Sequence, residues 1–345
     1  MATRRGKPRL GFLGVGWIGR HRLERVLEAG VAEVTAVADS SAELALVAAE
    51  AAGGAYCLGS LDELLTLDLD GLVVATPSAL HAEQAITALS RGLAVFCQKP
   101  LGRDAEETRR AVEAARRNDR LLGVDFSYRH VEGMRRLRNL IRNGELGRIF
   151  AVNLVFHNAY GPDKPWFYER SLSGGGCLVD LGIHLVDLAL WALDFPEVVE
   201  VHGRCFSKGK PLSTLSDAVE DYVVARLELA SGAVIDLSCS WHVSAGCDAV
   251  IGAQFFGSNG GAELKNVNGS FFDFEAFHYR GTAREQLAAP PDEWGGRAAV
   301  AWAQQLAQGN RFDPQIERAV AVAAVLDAVY ASGTVATPRP LRVTG

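Results

Sequence analysis

The spacing of Gly14, Gly16 and Gly19 is the feature that most constrains how this 345-residue chain folds. An apolar run leads into the first glycine, and a helical pattern begins after the second. In this setting the glycines permit a tight turn, close approach of the backbone to a pyrophosphate, and close packing of helix on strand. Asp39 lies 20 residues after Gly19, at the end of the next predicted strand, where a carboxylate bonds ribose hydroxyls. The pattern predicts a dinucleotide site.

The choice of dinucleotide depends on the charge around Asp39. A carboxylate at this position repels a 2′-phosphate, which favours NAD over NADP. Ser40 and Arg20 are nearby in sequence and are able to bind that phosphate, so NADP stays the alternative. Trp17 and Ile18 open the predicted helix, whose N–H groups and positive dipole end suit an anion. We expect these residues to border the cofactor.

Short apolar runs alternate with helical patterns over residues 1–125, which predicts a doubly wound parallel sheet with helices on both faces. Over residues 126–345, longer strands separated by hairpin signals predict an α+β domain with one large, mostly antiparallel sheet. We expect the first domain to bind the dinucleotide and the second to bind the substrate and mediate oligomerisation. Helices on only one face of a sheet leave the other face uncovered, which predicts a homodimer or homotetramer.

Charge and composition exclude several classes of protein. The net charge of −6 argues against nucleic-acid binding, which needs a concentrated basic face. No apolar run reaches the length that spans a bilayer, and the run from Leu10 to Gly14 is too short for a signal peptide. The 6 cysteines are scattered, as is typical of thiols in a reducing compartment. We therefore expect a soluble cytoplasmic protein with no membrane association.

Polar residues follow two of the predicted parallel strands. Thr76, Pro77 and Ser78 come after one strand, and Gln98 and Lys99 after the next. Ligands bind at the carboxyl ends of the strands in a doubly wound sheet, so both segments should border the cofactor. A lysine at this position can donate a hydrogen bond to a bound hydroxyl or carbonyl and stabilise developing negative charge. The alternative is a surface lysine whose stem covers apolar neighbours.

Asp180, His184 and Asp187 share one face of a predicted apolar helix, Asp180–Leu193. Ionisable groups on a buried helix are costly unless they are paired or used. Three hypotheses stay open: an acid/base site in which either aspartate fixes the tautomer of His184, a metal site, or a capping aspartate with a hydrogen-bonded core histidine. No other cluster of histidine and cysteine in the sequence completes a metal site, so no metal is predicted.

Substrate-binding residues are expected near these groups. The aromatic segment His157–Tyr168 has the composition of a wall for a sugar-sized pocket, although aromatic residues more often form core. The candidates for substrate contact, besides Asp180 and His184, are Tyr128, Arg129, His157, Trp166, Trp241 and His242.

Four motifs occur in a fixed order along the chain. They are the glycine loop, Thr76-Pro77-Ser78 with His81, Gln98-Lys99-Pro100, and Gly174-Gly175-Gly176 continuing through Asp180, His184 and Asp187. Together they resemble the Gfo/Idh/MocA family of nicotinamide-dependent oxidoreductases.

The resemblance implies a Rossmann fold in the first domain and hydride transfer between a nicotinamide and a secondary alcohol or ketone, usually of a sugar or polyol. It implies that Lys99 holds the reacting oxygen, that His184 transfers the proton and that Asp180 is a substrate contact or an orienting contact. His81 and Gln98 would border the cofactor.

One residue departs from the family pattern: Gln98 stands where the family usually has glutamate. Two functional alternatives also stay open. The first is a lyase or glycoside hydrolase that retains NAD and works by transient oxidation. The second is a ligand sensor that uses the fold without catalysis.

Overall fold

Two β-sheets organise the computed structural model, which describes residues 6–212 and 218–333. The first sheet has six parallel strands in the order β3-β2-β1-β4-β5-β6. Its strands are β1 (Arg9–Leu13), β2 (Glu33–Ala38), β3 (Tyr56–Leu58), β4 (Gly71–Val74), β5 (Ala94–Cys97) and β6 (Leu122–Val124). The connecting helices are α1 (Trp17–Ala29), α2 (Ala42–Ala51), α3 (Leu61–Leu64), α4 (Ser78–Ser90) and α5 (Ala105–Asn118). The order reverses between β1 and β4, which confirms the predicted doubly wound parallel sheet.

Local signals in the sequence set the ends of these helices. The Ser41 hydroxyl accepts a hydrogen bond from the Leu44 N–H at the start of α2, and the Asp104 carboxylate accepts one from the Glu107 N–H at the start of α5. Gly30 ends α1 in the left-handed conformation, with φ 62°. Strands β3 and β6 have only three residues each, too few for hydrophobic periodicity to predict them.

The second sheet has nine strands in the order β15-β14-β13-β12-β7-β11-β10-β8-β9. Its strands are β7 (Ile149–Asn158), β8 (Val198–Ser207), β9 (Lys210–Pro211), β10 (Tyr222–Leu229), β11 (Val234–Ser240), β12 (Ala249–Gly257), β13 (Gly261–Asn266), β14 (Phe274–Arg280) and β15 (Ala283–Ala288). All neighbouring strands pair antiparallel except β7 and β11, which pair parallel. The predicted large, mostly antiparallel sheet is confirmed, and β14 and β15 form one of its edges.

Helices cover one face of this sheet. The remaining helices are α6 (Glu132–Arg142), α7 (Arg170–Ser173), α8 (Ile183–Ala192), α9 (Arg297–Gln308) and α10 (Arg318–Gly333). Of these, α6, α8 and α10 pack on the second sheet. Side chains on the opposite face, including Asn153, Arg226 and Lys265, line an open groove of about 1000 Å³. We call this surface the open sheet face.

Helix α9 lies far along the chain but packs on the first sheet. Its Trp302 and Leu306 side chains join the core formed by Leu10 and Phe12 of β1. The predicted division into 1–125 and 126–345 therefore assigns to the second segment a helix that packs on the first sheet. Residues 1–5, 213–217 and 334–345 of those predicted domains lie outside the described residues.

One helical segment, Arg170–Ala192, is long and apolar enough to cross a membrane by length and composition alone. This corrects the expectation that no run reaches that length. Of its most apolar window, 89% is buried inside the structure, so packing against other elements accounts for its apolar character.

Candidate functional site

The glycine loop joins β1 to α1 and leaves its backbone accessible. Gly14 has φ 84°, a left-handed conformation, and a Cβ at Gly19 would lie 2.0 Å from the Gly14 carbonyl oxygen. No described atom lies within 4 Å of the position where Gly16 would carry a Cβ, and no described side chain caps the N-terminus of α1. The loop therefore has the cradle and the helix end that a pyrophosphate requires.

Asp39 follows β2 and already organises this loop. Its Oδ2 accepts a hydrogen bond of 2.8 Å from the Val15 N–H, and its Oδ1 accepts one of 2.9 Å from the Ser41 N–H. Ser40 lies exposed beside it. The indole of Trp17, at the first position of α1, is 72% exposed. The loop, the carboxylate and the helix end all fit a dinucleotide.

The segment after β4 is fixed by His81. One ring nitrogen of His81 lies 2.7 Å from the Pro100 carbonyl oxygen, and the other lies 2.6 Å from the Thr76 carbonyl oxygen. His81 is buried, and these two hydrogen bonds connect the segment after β4 to the segment after β5. Pro77 and Ser78 start α4 between these contacts, and Ser78 is buried. His81 therefore holds together the two segments at the carboxyl ends of β4 and β5, where the cofactor is expected.

Lys99 and Asp180 form the centre of the site. The Lys99 ammonium donates to Asp180 Oδ1 at 2.8 Å and to the Asp180 carbonyl oxygen at 2.6 Å. The Trp241 indole N–H donates to the other carboxylate oxygen at 3.1 Å. The two side chains of the ion pair are 17% and 18% exposed, so they are sheltered but reachable by a ligand.

His184 lies on α8 and packs against two aromatic rings from other elements. Its imidazole packs 4.8 Å from the ring of Tyr128 and 6.4 Å from that of Phe156, and the residue is 8% exposed. Burial, followed by the positive charges of Lys99 and Arg22, holds the pKa of His184 well below its ordinary value of 6.5. The imidazole is therefore neutral at pH 7 and available to accept a proton.

The two aspartates of this helix pair with other side chains, and no contact among the described residues joins either one to His184. The hypothesis that an aspartate fixes the tautomer of His184 therefore stays a prediction. Asp180 lies in a one-turn π-helical segment, Leu178–Gly182, and pairs with Lys99. Asp187 lies on α8 and forms a bidentate ion pair with Arg129, whose Nε donates at 2.8 Å. Each carboxylate has its own cation, and the three residues are not among the described groups that bring metal-ligand atoms together.

Two predicted substrate contacts lie apart from Lys99. Arg129 is committed to Asp187 and packs over Phe126. His157 lies on β7 of the second sheet. Its imidazole is hydrogen-bonded to the Ser240 hydroxyl at 2.7 Å and stacks on the ring of Tyr222. None of the contacts among the described residues joins either side chain to Lys99, Asp180 or His184. Trp166 stacks on Phe167, whose ring meets the edge of Trp241.

A buried network beneath Lys99 was not predicted. The amide nitrogen of Gln98 donates to Asp125 Oδ2 at 3.1 Å, and Arg22 donates to the same oxygen at 2.6 Å. Asp125 is fully buried. A glutamate at position 98 would bring a second carboxylate against Asp125, whereas an amide can donate to it. This contact gives a physical reason for the glutamine.

A second unpredicted residue, Glu220, fixes the helix that carries Asp180. Its Oε1 accepts hydrogen bonds from the Gly176 N–H at 2.9 Å, the Leu178 N–H at 3.0 Å and the Tyr330 hydroxyl at 2.7 Å. A Cβ at Gly176 would lie 1.9 Å from the Glu220 carbonyl oxygen, so the glycine is required. Burial raises the pKa of Glu220, although these three donors oppose the shift.

A cluster of potential metal ligands lies elsewhere. Among the described residues, Glu200, His202 and Glu228 bring ligand atoms within 4.8 Å of one another on the paired strands β8 and β10. Glu200 and His202 are exposed, and exposed acidic groups are common without an ion. The expectation of a protein without a metal stays a prediction.

Two family models match the chain. Residues 9–126 match an oxidoreductase family with an NAD-binding Rossmann fold, and residues 134–263 match the GFO/IDH/MocA C-terminal domain. The chain is 30% identical to D-glucoside 3-dehydrogenase of Escherichia coli (strain K12) over 243 residues, which cover 67% of this chain and 69% of that protein. This chain belongs to the Gfo/Idh/MocA family. The predicted resemblance, the oxidoreductase class and the NAD-binding Rossmann domain are thereby confirmed.

Further relatives and solved structures are similar to this chain over most of its length. Inositol 2-dehydrogenase 3 of Saccharopolyspora erythraea is 28% identical over 85% of this chain and 90% of its own length. The structure of KijD10, a 3-ketoreductase from Actinomadura kijaniata in complex with NADP and TDP-benzene, superposes with a TM-score of 0.80 and 25% sequence identity. The match covers 95% of this chain and 98% of KijD10. Levoglucosan dehydrogenase in complex with NADH has the same fold, with 20% identity, a TM-score of 0.80 and coverage of 95% and 97%.

Proposed function

We propose that this protein transfers a hydride between NAD and a secondary alcohol or ketone of a sugar or polyol. The observation that carries the proposal is the arrangement of Lys99, held by Asp180, at the carboxyl end of β5 beside the neutral imidazole of His184. The names of the relatives support the substrate class, since they act on glucosides and inositols.

Each residue of the site has a distinct part in this reaction. NAD supplies the hydride acceptor when it is bound. The Lys99 ammonium donates to the substrate oxygen and stabilises the negative charge that develops there as the O–H bond breaks. His184 accepts the hydroxyl proton, while the hydrogen on carbon leaves as hydride and the C=O bond forms. Asp180 orients Lys99, and Trp241 orients Asp180.

Three further features belong to the proposal. The Asp39 carboxylate favours NAD over NADP through charge repulsion. The open sheet face supports a homodimer or homotetramer, because an antiparallel sheet with helices on one side can bury its other side against a second copy. We place the protein in the cytoplasm and include neither nucleic acid nor membrane among its partners.

The lyase or glycoside hydrolase alternative, with NAD retained through transient oxidation, is not favoured. The relatives described above are named as dehydrogenases and reductases. A sensor without catalysis gains no support from a site in which Lys99 and Asp180 are paired and reachable.

The test combines a substrate panel with one variant pair. Purified protein is incubated with NAD or NADP and a panel of hexoses, glycosides and inositols, and reduced nicotinamide is followed by absorbance. We expect NADH with at least one substrate. Lys99→Met should bind NADH normally and lower kcat by about 10²–10³-fold, because one preorganised donor to the reacting oxygen is lost. Lys7→Met, at an exposed lysine before β1, is the matched control. Full turnover by Lys99→Met would contradict the assignment.

A further inference from the structure

A groove lined by arginines lies where helices that pack on the first sheet meet helices that pack on the second. Its volume is about 720 Å³, and we call it the arginine groove. Its arginines come from four elements, and they are Arg25 of α1, Arg129 of the 3₁₀ turn Ser127–His130, Arg135 of α6 and Arg297 of α9. No described residue to which we assign a part in the reaction lines this groove.

The lining of the groove is basic, although the net charge of the protein is −6. Its described residues include four arginines and one carboxylate, that of Glu28, which pairs with Arg25 Nη1 at 2.7 Å. A guanidinium presents a planar fork of donors that matches the oxygens of a carboxylate or a phosphate. Like charges brought together from separate elements repel one another, and an anion between them relieves that repulsion.

Carboxylates outside the groove hold two of its arginines in place. Arg129 donates to Asp187 through Nε and Nη2, and Arg297 Nη2 lies 2.6 Å from Asp292 Oδ1. The two carboxylate side chains are 2% and 11% exposed, and neither lines the groove. Among the described contacts, Arg129 Nη1 and Arg297 Nε make no hydrogen bond. The arginines are therefore fixed and still have donors for a ligand.

Arg135 adds a cation that has no carboxylate of its own. Its side chain is exposed, and no hydrogen bond or ion pair joins it to another described residue. The next residue, Arg136, donates to Glu132 at 2.8 Å and does not line the groove. On this helix the arginine that lines the groove is unpaired, and its neighbour outside the groove is paired.

The titration of His130, which also lines the groove, agrees with a positive field there. Burial is the main cause that lowers the pKa of His130 to about 4, although the charge of Asp125 opposes the shift. The positive charges of Arg135, Arg129 and Arg297 lower this pKa further. The imidazole is therefore neutral at pH 7, and the charge of the groove comes from its arginines.

We propose that the arginine groove binds a small anionic metabolite through a phosphate or carboxylate group, outside the site of the proposed reaction. The volume of the groove lies within the range of small-molecule sites. Arg129 connects the groove to α8 through Asp187, so the occupant meets a side chain that is bonded to the helix carrying His184. The proposal does not depend on the identity of the sugar or polyol.

The test measures anion binding by calorimetry with protein that is saturated with NADH. Saturation is needed because the glycine loop also suits a phosphate and must be occupied. The probes are inorganic phosphate and citrate, each titrated at low and at high NaCl. We expect a Kd in the millimolar range or below that rises with salt, and the tighter probe identifies whether phosphate or carboxylate groups are preferred. Absence of saturable binding for both probes would overturn the proposal.

Variants locate the binding in the groove. Arg135→Ala should weaken it about tenfold, because a charge-assisted hydrogen bond is lost without breaking an internal pair. Arg136→Ala, one residue along α6 and outside the lining, is the matched control and should leave the Kd unchanged. Glu28→Gln removes the carboxylate of the described lining and should tighten binding about two- to fivefold, an effect that partial unfolding does not produce.

Two outcomes of the variant series would contradict the assignment. Equal weakening by Arg135→Ala and Arg136→Ala would show that the anion responds to the overall surface charge. A Kd that neither Arg135→Ala nor Glu28→Gln changes would place the anion elsewhere on the protein.

Discussion

The helical segment that carries Asp180 and Asp187 presents the same chemistry twice, in two different settings. At one end, the Asp187 side chain is 2% exposed and forms a bidentate pair with Arg129, which is 23% exposed and lies over aromatic rings such as that of Phe195. At the other end, Asp180 is 18% exposed, pairs with Lys99 and accepts a hydrogen bond from Trp241. A buried carboxylate held by two nitrogens of one cation stabilises the fold, and we call this first pair the closed pair. A carboxylate that stays partly exposed beside a lysine can meet a ligand, and we call this second pair the open pair.

The largest effect on stability is expected at the closed pair. Asp187→Ala leaves the Arg129 guanidinium without its carboxylate and should lower the free energy of unfolding by about 3 kcal/mol, as measured by urea unfolding. Turnover per folded molecule should stay close to that of the unmodified protein. A variant of normal stability that has lost turnover would assign Asp187 to the chemistry and break the comparison.

The matching change at the open pair should lower activity strongly and stability only slightly. Asp180→Ala keeps the contact between Lys99 and the backbone carbonyl, but it frees the ammonium to move by about 1 Å, a shift that can cost about 10²-fold in kcat/KM. Unfolding in urea should change little compared with Asp187→Ala. Normal kcat/KM in Asp180→Ala would show that the open pair is not the catalytic one.

The network beneath Lys99 allows a smaller and more specific test. Gln98→Glu sets two carboxylates against each other at the position of a 3.1 Å hydrogen bond, and it should destabilise the protein by about 1–3 kcal/mol. Asp125→Asn alone should also be destabilising, because Arg22 loses its buried carboxylate partner. The double variant should lose less than the sum of the two single losses, by a coupling of about 1 kcal/mol. Simple additivity in urea unfolding would show that the two side chains do not interact.

The pKa of His184 predicts the pH dependence of oxidation. Because burial, Lys99 and Arg22 lower this pKa below 6.5, the neutral base form persists on acidification and is lost only as pH falls through the lowered value. The acid limb of the kcat/KM profile should therefore lie below pH 6.5, and His184→Gln should remove it. An acid limb above pH 6.5 would assign the base to another group.

The smallest expected effect concerns the cofactor. Asp39→Asn removes the charge that repels a 2′-phosphate, and the ratio of NADPH to NADH affinity should rise by about tenfold, equivalent to about 1.4 kcal/mol. Fluorescence titration of the reduced nicotinamides measures this ratio directly. NADPH binding that is already tighter in the unmodified protein would mean that other residues decide cofactor choice.

The contrast between the two pairs also shows what sequence can and cannot predict. Local signals gave the glycine loop and Asp39, because a turn and the residue that follows a strand each depend on a few neighbouring residues. Helical periodicity placed Asp180, His184 and Asp187 on one face, but it contains no information about which groups lie opposite each of them.

The missing partners are distant in the chain. Asp180 meets Lys99 across 81 residues and Trp241 across 61, while Gln98 meets Asp125 across 27. Such contacts follow from the order of strands within a sheet and from the packing of the two sheets, and not from local pattern. The sequence does not predict the role of Glu220 for the same reason, although Gly176, which it contacts, belongs to one of the four motifs.

The most direct test of the account is the fate of the hydrogen on the substrate carbon. The best substrate of the panel is prepared with deuterium on the carbon that carries the reacting hydroxyl, and the cofactor is analysed by mass spectrometry after incubation with NAD. We predict that deuterium accumulates in NADH with the unmodified protein and not with Lys99→Met. Substrate turnover without accumulation of deuterated NADH would contradict a net oxidoreductase and favour transient oxidation with retained NAD.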